Sequence, residues 1–304
     1  MPFADRLRNF PTLLEIVPPH RRASESTIRK AVGRVREAAR AIPHLDAINL
    51  PEILDENHSG MPFYRNMDPR RFANLLKEDL PVETIVNKVV VQLPGSAGFE
   101  SWLKESLYGY SLRNFVFVGG ASSRIKYPGP TVPEANRWLR DLTRGGVEAA
   151  IGNILIPERP GEVERLLGKT LSGCRFFTTQ VLFEPEPVAT VLRRYGEACA
   201  YEGVDPATVL LSFAPVSDYE DVEFLVWLGA TVTVETEARL LPEAGEPGLA
   251  SLEVARDIWT RVRDAAVTSA HPVPLGVNIE EISTHNFDLA VEMTKEIPRW
   301  TGAP

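Results

Sequence analysis

Short apolar runs alternate with longer amphipathic ones along the chain. The short runs are Thr12–Val17, Leu45–Leu50, Lys88–Leu93, Asn114–Val118, Glu148–Leu155, Arg175–Leu182, Thr208–Phe213 and Pro274–Ile282. Their length and their Val, Ile, Phe and Thr content predict strands. The amphipathic stretches predict helices, among them Ser26–Ala41, Asp68–Glu78, Phe99–Tyr108, Val132–Thr143, Pro187–Tyr201, Tyr219–Leu228 and Leu252–Val267. Ser24 or Ser26 suits the first helix as a cap, and Asp68-Pro69 and Ser251 mark further starts. The segment Val232–Gly248 fits no single unit. It reads as a short strand and helix followed by a loop at Pro242–Gly248.

Strands interleaved with helices predict βα units and a parallel sheet. Such a sheet either stays open and doubly wound or closes into a (β/α)8 TIM barrel. The count of eight strand signals favours closure. So does the lack of Gly-x-Gly-x-x-Gly after an early strand, which a dinucleotide-binding open sheet often shows. The expectation is a single α/β barrel domain over residues 1–304, a size such barrels commonly reach.

Composition narrows the partners. A net charge of −8 argues against nucleic acid, which needs a basic face. No run approaches the length of a membrane span, and the charged start lacks a signal-peptide core. Cys174 and Cys199, without a Cys-x-x-Cys motif, fit a reduced cytoplasmic protein with two core thiols.

In a (β/α)8 barrel the carboxyl ends of the strands carry function. Read in order, those ends offer Glu15, Asn49, Gln92, Gly119-Gly120, Asn153, Thr178-Thr179-Gln180, Ser212 and Glu280-Glu281. Amides and hydroxyls dominate, which suits a polyatomic hydrogen-bonding ligand better than a metal. Glu15 stands out, because it sits in the apolar run Thr12–Val17 closed by Pro18-Pro19. Alternation puts Leu13, Glu15 and Val17 on one face of that strand. If that face is the barrel interior, desolvation raises the Glu15 pKa and makes it a general acid near neutral pH. The competing reading is a structural ion pair with a neighbouring Arg or Lys. Gly119-Gly120-Ala121-Ser122-Ser123 lets a ligand approach the backbone, and Tyr127-Pro128-Gly129-Pro130 adds a stiff loop. Asp55-Glu56-Asn57-His58 has metal-ligand residue types, but consecutive positions do not converge and no second cluster supports them. His285 follows Ser283-Thr284 where a last helix begins.

Together these segments resemble the methylenetetrahydrofolate reductase family. Leu14-Glu15-Ile16-Val17-Pro18-Pro19 is similar to its first-strand Phe-Glu-Phe-Phe-Pro-Pro motif, whose Glu is the catalytic acid. Ser172-Gly173-Cys174-Arg175-Phe176-Phe177-Thr178-Thr179-Gln180 resembles Ala-Gly-Ala-Asp-x-x-Ile-Thr-Gln, and Phe213-Ala214-Pro215-Val216-Ser217 resembles Ile-Leu-Pro-Val-Ser. The resemblance implies reduction of 5,10-methylenetetrahydrofolate to 5-methyltetrahydrofolate with NAD(P)H. Glu15 is then the acid, Gln180, Asn49, Ser212 and Glu281 contact the substrate, and Gln92, Gly119, Gly120, Asn153 and Lys169 lie on the cofactor side.

Two departures bear on FAD. The family's Arg-Gly-Asp is replaced by Gly119-Gly120-Ala121, and its Tyr-Pro-Glu-x-His-Pro by Asn153-Ile154-Leu155-Ile156-Pro157-Glu158, whereas Lys169 matches a family Lys near the flavin phosphates. Ile154-Leu155-Ile156-Pro157 and Leu210-Leu211-Ser212-Phe213 look like the flavin-independent mycobacterial-type branch. The resemblance also admits a methyl-group enzyme working with a corrinoid protein, or a non-catalytic folate-binding subunit. It leaves room for a homo-oligomer or an electron-transfer partner.

Overall fold

A computed structural model describes residues 2–301 other than 58, 59, 123, 145, 147, 244, 245 and 284. The chain runs α1 (Phe3–Arg6), β1 (Thr12–Glu15), α2 (Glu25–Ala41), β2 (Ala47–Leu50), β3 (Leu54–Glu56), β4 (Pro62–Tyr64), α3 (Pro69–Leu76) and β5 (Glu83–Val89). It continues through α4 (Gly95–Lys104), β6 (Asn114–Val118), α5 (Val132–Thr143), β7 (Ala150–Leu155), α6 (Glu162–Leu171), β8 (Phe176–Val181) and α7 (Pro185–Glu202). It ends with β9 (Thr208–Phe213), α8 (Tyr219–Trp227), α9 (Val234–Leu240), α10 (Pro247–Val267), β10 (Leu275–Glu280) and α11 (Phe287–Thr301).

Eight strands close into one parallel barrel in the order β1-β2-β5-β6-β7-β8-β9-β10, and β3 and β4 form a separate antiparallel hairpin. The closed barrel replaces the open-sheet alternative. Ser24 caps α2 by accepting from the Thr27 amide, and Asp68 caps α3 ahead of Pro69.

Three boundaries differ from the sequence reading. The third barrel strand is Glu83–Val89, and Val90–Gln92 is a 3-10 turn beyond it. Glu83, Asn87 and Lys88 break its apolar run and hide it from a hydropathy reading. Residues Val234–Leu240 form a helix, and no strand precedes it among the described residues. Ala244 and Gly245 of the expected Pro242–Gly248 loop lie outside the described residues, and α10 already begins at Pro247.

Strand alternation sorts the core into two shells. Leu13, Ala47, Ile85, Val116, Ala150, Phe176 and Leu210 point inward and pack with Phe3, Ala4 and Leu7 of the amino-terminal segment. The alternate residues Leu14, Ile48, Val86, Phe115, Ile151, Phe177, Val209 and Val277 belong to the larger cluster against the helices. The amino-terminal segment plugs the barrel floor. Arg175 donates to the Ala4 carbonyl at 3.0 Å, Thr208 donates to the Leu7 carbonyl at 2.8 Å, and the Phe3 ring meets Phe176 edge-on at 5.5 Å. The floor is therefore closed, with Thr208 and Asn114 among the polar residues satisfied at that end. Among the described residues no helix is long and apolar enough to cross a membrane.

Gly152 makes this interior fit, because a Cβ there would run into the Phe176 ring. Gly152→Val is expected to cost about 1–3 kcal/mol by overpacking, read as a lower urea midpoint. An unchanged midpoint would contradict the packing described.

Candidate functional site

β1, β2 and β10 lie side by side, with Glu15 opposite Asn49 on one flank and Glu280 on the other. Inward parity continues from Leu13 to Glu15, from Ala47 to Asn49, and through Gly276, Asn278 and Glu280. The result is two carboxylates on neighbouring strands at the barrel mouth. Glu15 Oε2 accepts from Asn49 Nδ2 at 2.5 Å and from Asn278 Nδ2 at 3.3 Å. The same Asn278 amide donates to Glu280 Oε1 at 3.1 Å and to Ser212 Oγ at 3.1 Å. One amide thus bridges both acids.

Burial holds the Glu15 carboxyl well above its usual range, and the neighbouring Glu280 charge adds to this against the bonds from Asn278 and Asn49. Burial pushes Glu280 up to about 7, opposed by hydrogen bonds from Ser212 and Asn278. No described Lys, Arg or His contributes to either shift. Two like charges on adjoining strands do not both ionise easily, and both shifts run toward the protonated form. The ion-pair alternative for Glu15 has no support in this environment. Three buried amide oxygens, those of Asn49, Asn87 and Asn278, lack hydrogen-bond partners among the described residues. All three sit on interior positions of the barrel, and unpaired acceptors of this kind call for a donor.

The other residues picked from the sequence divide clearly. Asn49 and Ser212 line the mouth. Gln180 stands at the rim, where its amide donates to the Leu228 carbonyl just past α8 at 2.7 Å. Glu281 points away from the interior, because strand parity alternates. Its buried carboxylate accepts from the Val17 amide at 3.0 Å and fastens the last strand to the first, and burial raises its pKa to about 7. Gln92 is past the strand end and donates to Glu56 at 2.7 Å and to the Gly60 carbonyl at 2.9 Å, so it ties down the hairpin. Gly120 lies against the Tyr127 ring, whose hydroxyl donates to Glu56 at 2.8 Å, and its neighbour Gly119 is half-buried.

Asn153 and Lys169 lie outside the barrel wall. Asn153 faces α5, exchanges hydrogen bonds with Asn136 and donates to the Phe117 carbonyl at 3.1 Å. Lys169 of α6 donates to the Ile154 carbonyl at 2.7 Å, and burial lowers its pKa. Of the Asp55–His58 run, Asp55 pairs with Arg65, Glu56 takes the Gln92 and Tyr127 bonds, Asn57 accepts from the Met61 amide, and His58 lies outside the described residues. Asp218, Asp221 and His285 do approach one another within 4.8 Å. Asp218 caps α8, and Asp221 accepts from Ser217 N and Asn286 Nδ2, which accounts for both acids. Ser123 and Thr284, which the sequence reading also touched, lie outside the described residues.

Hollows also occur away from Glu15. One of about 230 Å³ on the amino-terminal side is lined by Lys77, Glu83, Arg113 and Asn114. Another of about 240 Å³ beside β5 holds Glu52, Tyr64, Arg70, Lys88 and Trp102, with a buried Lys88–Glu52 pair at 2.6 Å.

The fold and site define a single-domain (β/α)8 barrel with an acid-lined mouth. No family model matches the chain, and no curated protein matches it. Its fold is similar to that of a protein from Clostridium thermocellum that binds two copies of 5-methyl-5,6,7,8-tetrahydrofolic acid. That match has a TM-score of 0.79 and 19% identity, over 98% of this chain and 99% of the other. A 2,3-dimethylmalate lyase of the PEP mutase/isocitrate lyase superfamily aligns at a TM-score of 0.49 and 12% identity, over 100% of this chain and 90% of its own.

Sequence reasoning named Glu280 only as a strand end beside Glu281, chose Glu281 for the site, and passed over Asn278 and Asn87. Parity was the available signal for Glu280 and Asn278: Val277 and Ile279 must face the helices, so Asn278 and Glu280 face in, and Glu281 does not. The raised acids also set a pH dependence. A carboxyl whose pKa rises from 4.5 unfolded to about 7 folded contributes stability that is full below 4.5 and lost as pH rises through 7. Glu280→Gln removes that loss. Its stability relative to wild type is expected to grow by about 2–3 kcal/mol between pH 5 and pH 8, measured by urea unfolding. A gap independent of pH would contradict the shift.

Proposed function

We propose that the barrel mouth binds a tetrahydrofolate-type pterin and that the protein reduces 5,10-methylenetetrahydrofolate to 5-methyltetrahydrofolate with NAD(P)H. The observation that carries this reading is Glu15 at the carboxyl-terminal mouth of a plugged barrel, held by Asn49 and Asn278, with burial raising its pKa and no described cation opposing the shift. The folate ligand of the Clostridium thermocellum protein and the short motifs around Glu15 and Gln180 support the choice of substrate.

The chemistry needs one proton and one hydride. Protonation at the departing nitrogen breaks its bond to the bridging carbon and leaves an iminium, and hydride from NAD(P)H then completes the methyl group. Glu15 is the proton donor, held in place by Asn49 and Asn278. Burial raises its pKa and so favours the protonated form that a donor needs. Gln180 orients the ring from the rim. The dinucleotide supplies the hydride chemistry, and the protein supplies position and proton.

Of the residues that the resemblance put on the cofactor side, Lys169, matched to the flavin phosphates, and Asn153 face the helix layer, Gln92 is engaged by Glu56, and a Cβ at Gly120 would strike the Tyr127 ring. No step is therefore assigned to a flavin, and hydride passes directly from the nicotinamide to the folate.

A second reading, methyl transfer with a corrinoid-bearing protein, draws on α8 and the turn after it. There Phe224, Val226, Trp227 and Leu228 are exposed next to the Gln180 rim. NADH oxidation dependent on methylenetetrahydrofolate, by protein without a visible flavin band, favours the reductase. Glu15→Gln is expected to lower that turnover by about two to four orders of magnitude while 5-methyltetrahydrofolate still binds. Turnover near wild type would remove Glu15 from the mechanism.

A further inference from the structure

We propose that Glu280, standing beside Glu15, anchors the N–H donor edge of the ligand, a 2-amino-4-oxopyrimidine or an equivalent amidine-like ring. Nothing in the sequence motifs singles out Glu280. The geometry does: it stands in register with Glu15 on the neighbouring strand and shares the Asn278 amide with it.

The groups facing the pair are Glu15 from β1, Asn49 from β2, Ser212 from β9 and Asn278 from β10 itself. The nearest further acid, Glu281, is turned to the Val17 amide and feels Arg34. The mouth thus offers acceptors with no described cation among them. The unpaired oxygens of Asn49, Asn87 and Asn278 extend this acceptor surface across three strands. Such a surface rejects anions and selects rings that present several N–H groups along one edge, because each bond satisfies an acceptor otherwise buried without a partner. A carboxylate is the strongest acceptor available for two parallel N–H groups.

Burial raises both carboxyls, Glu280 to about 7, so the pair as a unit takes up its charge as pH rises. The inference rests on the pterin reading only for the choice of ring.

The test uses full-length protein and two probes, 5-methyltetrahydrofolate and isocytosine, the bare 2-amino-4-oxopyrimidine ring. Binding is measured by calorimetry from pH 6 to pH 8 for wild type and Glu280→Gln. Both affinities are expected to rise about tenfold over that range in wild type, following ionisation near pH 7. Glu280→Gln is expected to lose that slope and to bind at least about tenfold more weakly at pH 8. The wild-type slope with isocytosine does not depend on how the variant folds. If 5-methyltetrahydrofolate binds both proteins equally with no slope, the anchor is overturned and the folate reading stands. If isocytosine shows the pattern and the folate does not bind, the anchor stands and the folate reading falls. Failure of both probes to bind overturns both.

Discussion

The structure turns on two carboxyl groups placed side by side in a closed ring of strands. Glu15 and Glu280 occupy matching positions on β1 and β10, half-buried, and no described cation contributes to the shift of either. Closure matters because it removes every sheet edge and turns alternate residues into a shared interior. The floor is filled by Phe3, Ala4 and Leu7 beneath a layer of apolar side chains. Glu15, Glu280 and the amides bonded to them lie at the other end, where the strands terminate.

The chain neutralises acids elsewhere when their role is structural. Glu52 is buried as well, yet it lies 2.6 Å from Lys88 and also accepts from the Val89 amide. Glu162 is buried against Arg159 at 2.6 Å. Glu281 caps the Val17 amide. Against these, Glu15 and Glu280 have only amide and hydroxyl donors, one of them shared. An arrangement that lowers stability at neutral pH and keeps a proton within reach of the mouth is a mark of function rather than of packing.

Much of this was legible in the sequence, and the gaps have physical causes. Eight apolar runs between amphipathic ones gave the barrel, and period-two alternation placed Glu15 inside, since Leu13 faces the interior and Leu14 the helices. The same rule separates Glu280 from Glu281, but two adjacent acids look alike until Val277 and Ile279 fix the phase. Asn153 and Lys169 were drawn to the site by motif position, which carries no information about the face of a strand. Gly152 and Ile154 face in, so Asn153 faces α5. The β3–β4 hairpin was invisible because its strands are three residues each, and its hold on Gln92, Gly120 and Tyr127 was hidden with it. The floor plug begins as a single turn of helix at Phe3–Arg6, too short for a periodic signal.

The central claim is that Glu15 carries a proton at neutral pH. Infrared spectroscopy of the ligand-free protein at pH 7 tests it directly, by comparing wild type with Glu15→Gln. The account predicts a protonated-carboxyl carbonyl band in wild type that disappears in the variant. A wild-type spectrum whose only difference from Glu15→Gln is a lost carboxylate band would show Glu15 ionised, and the account would fail.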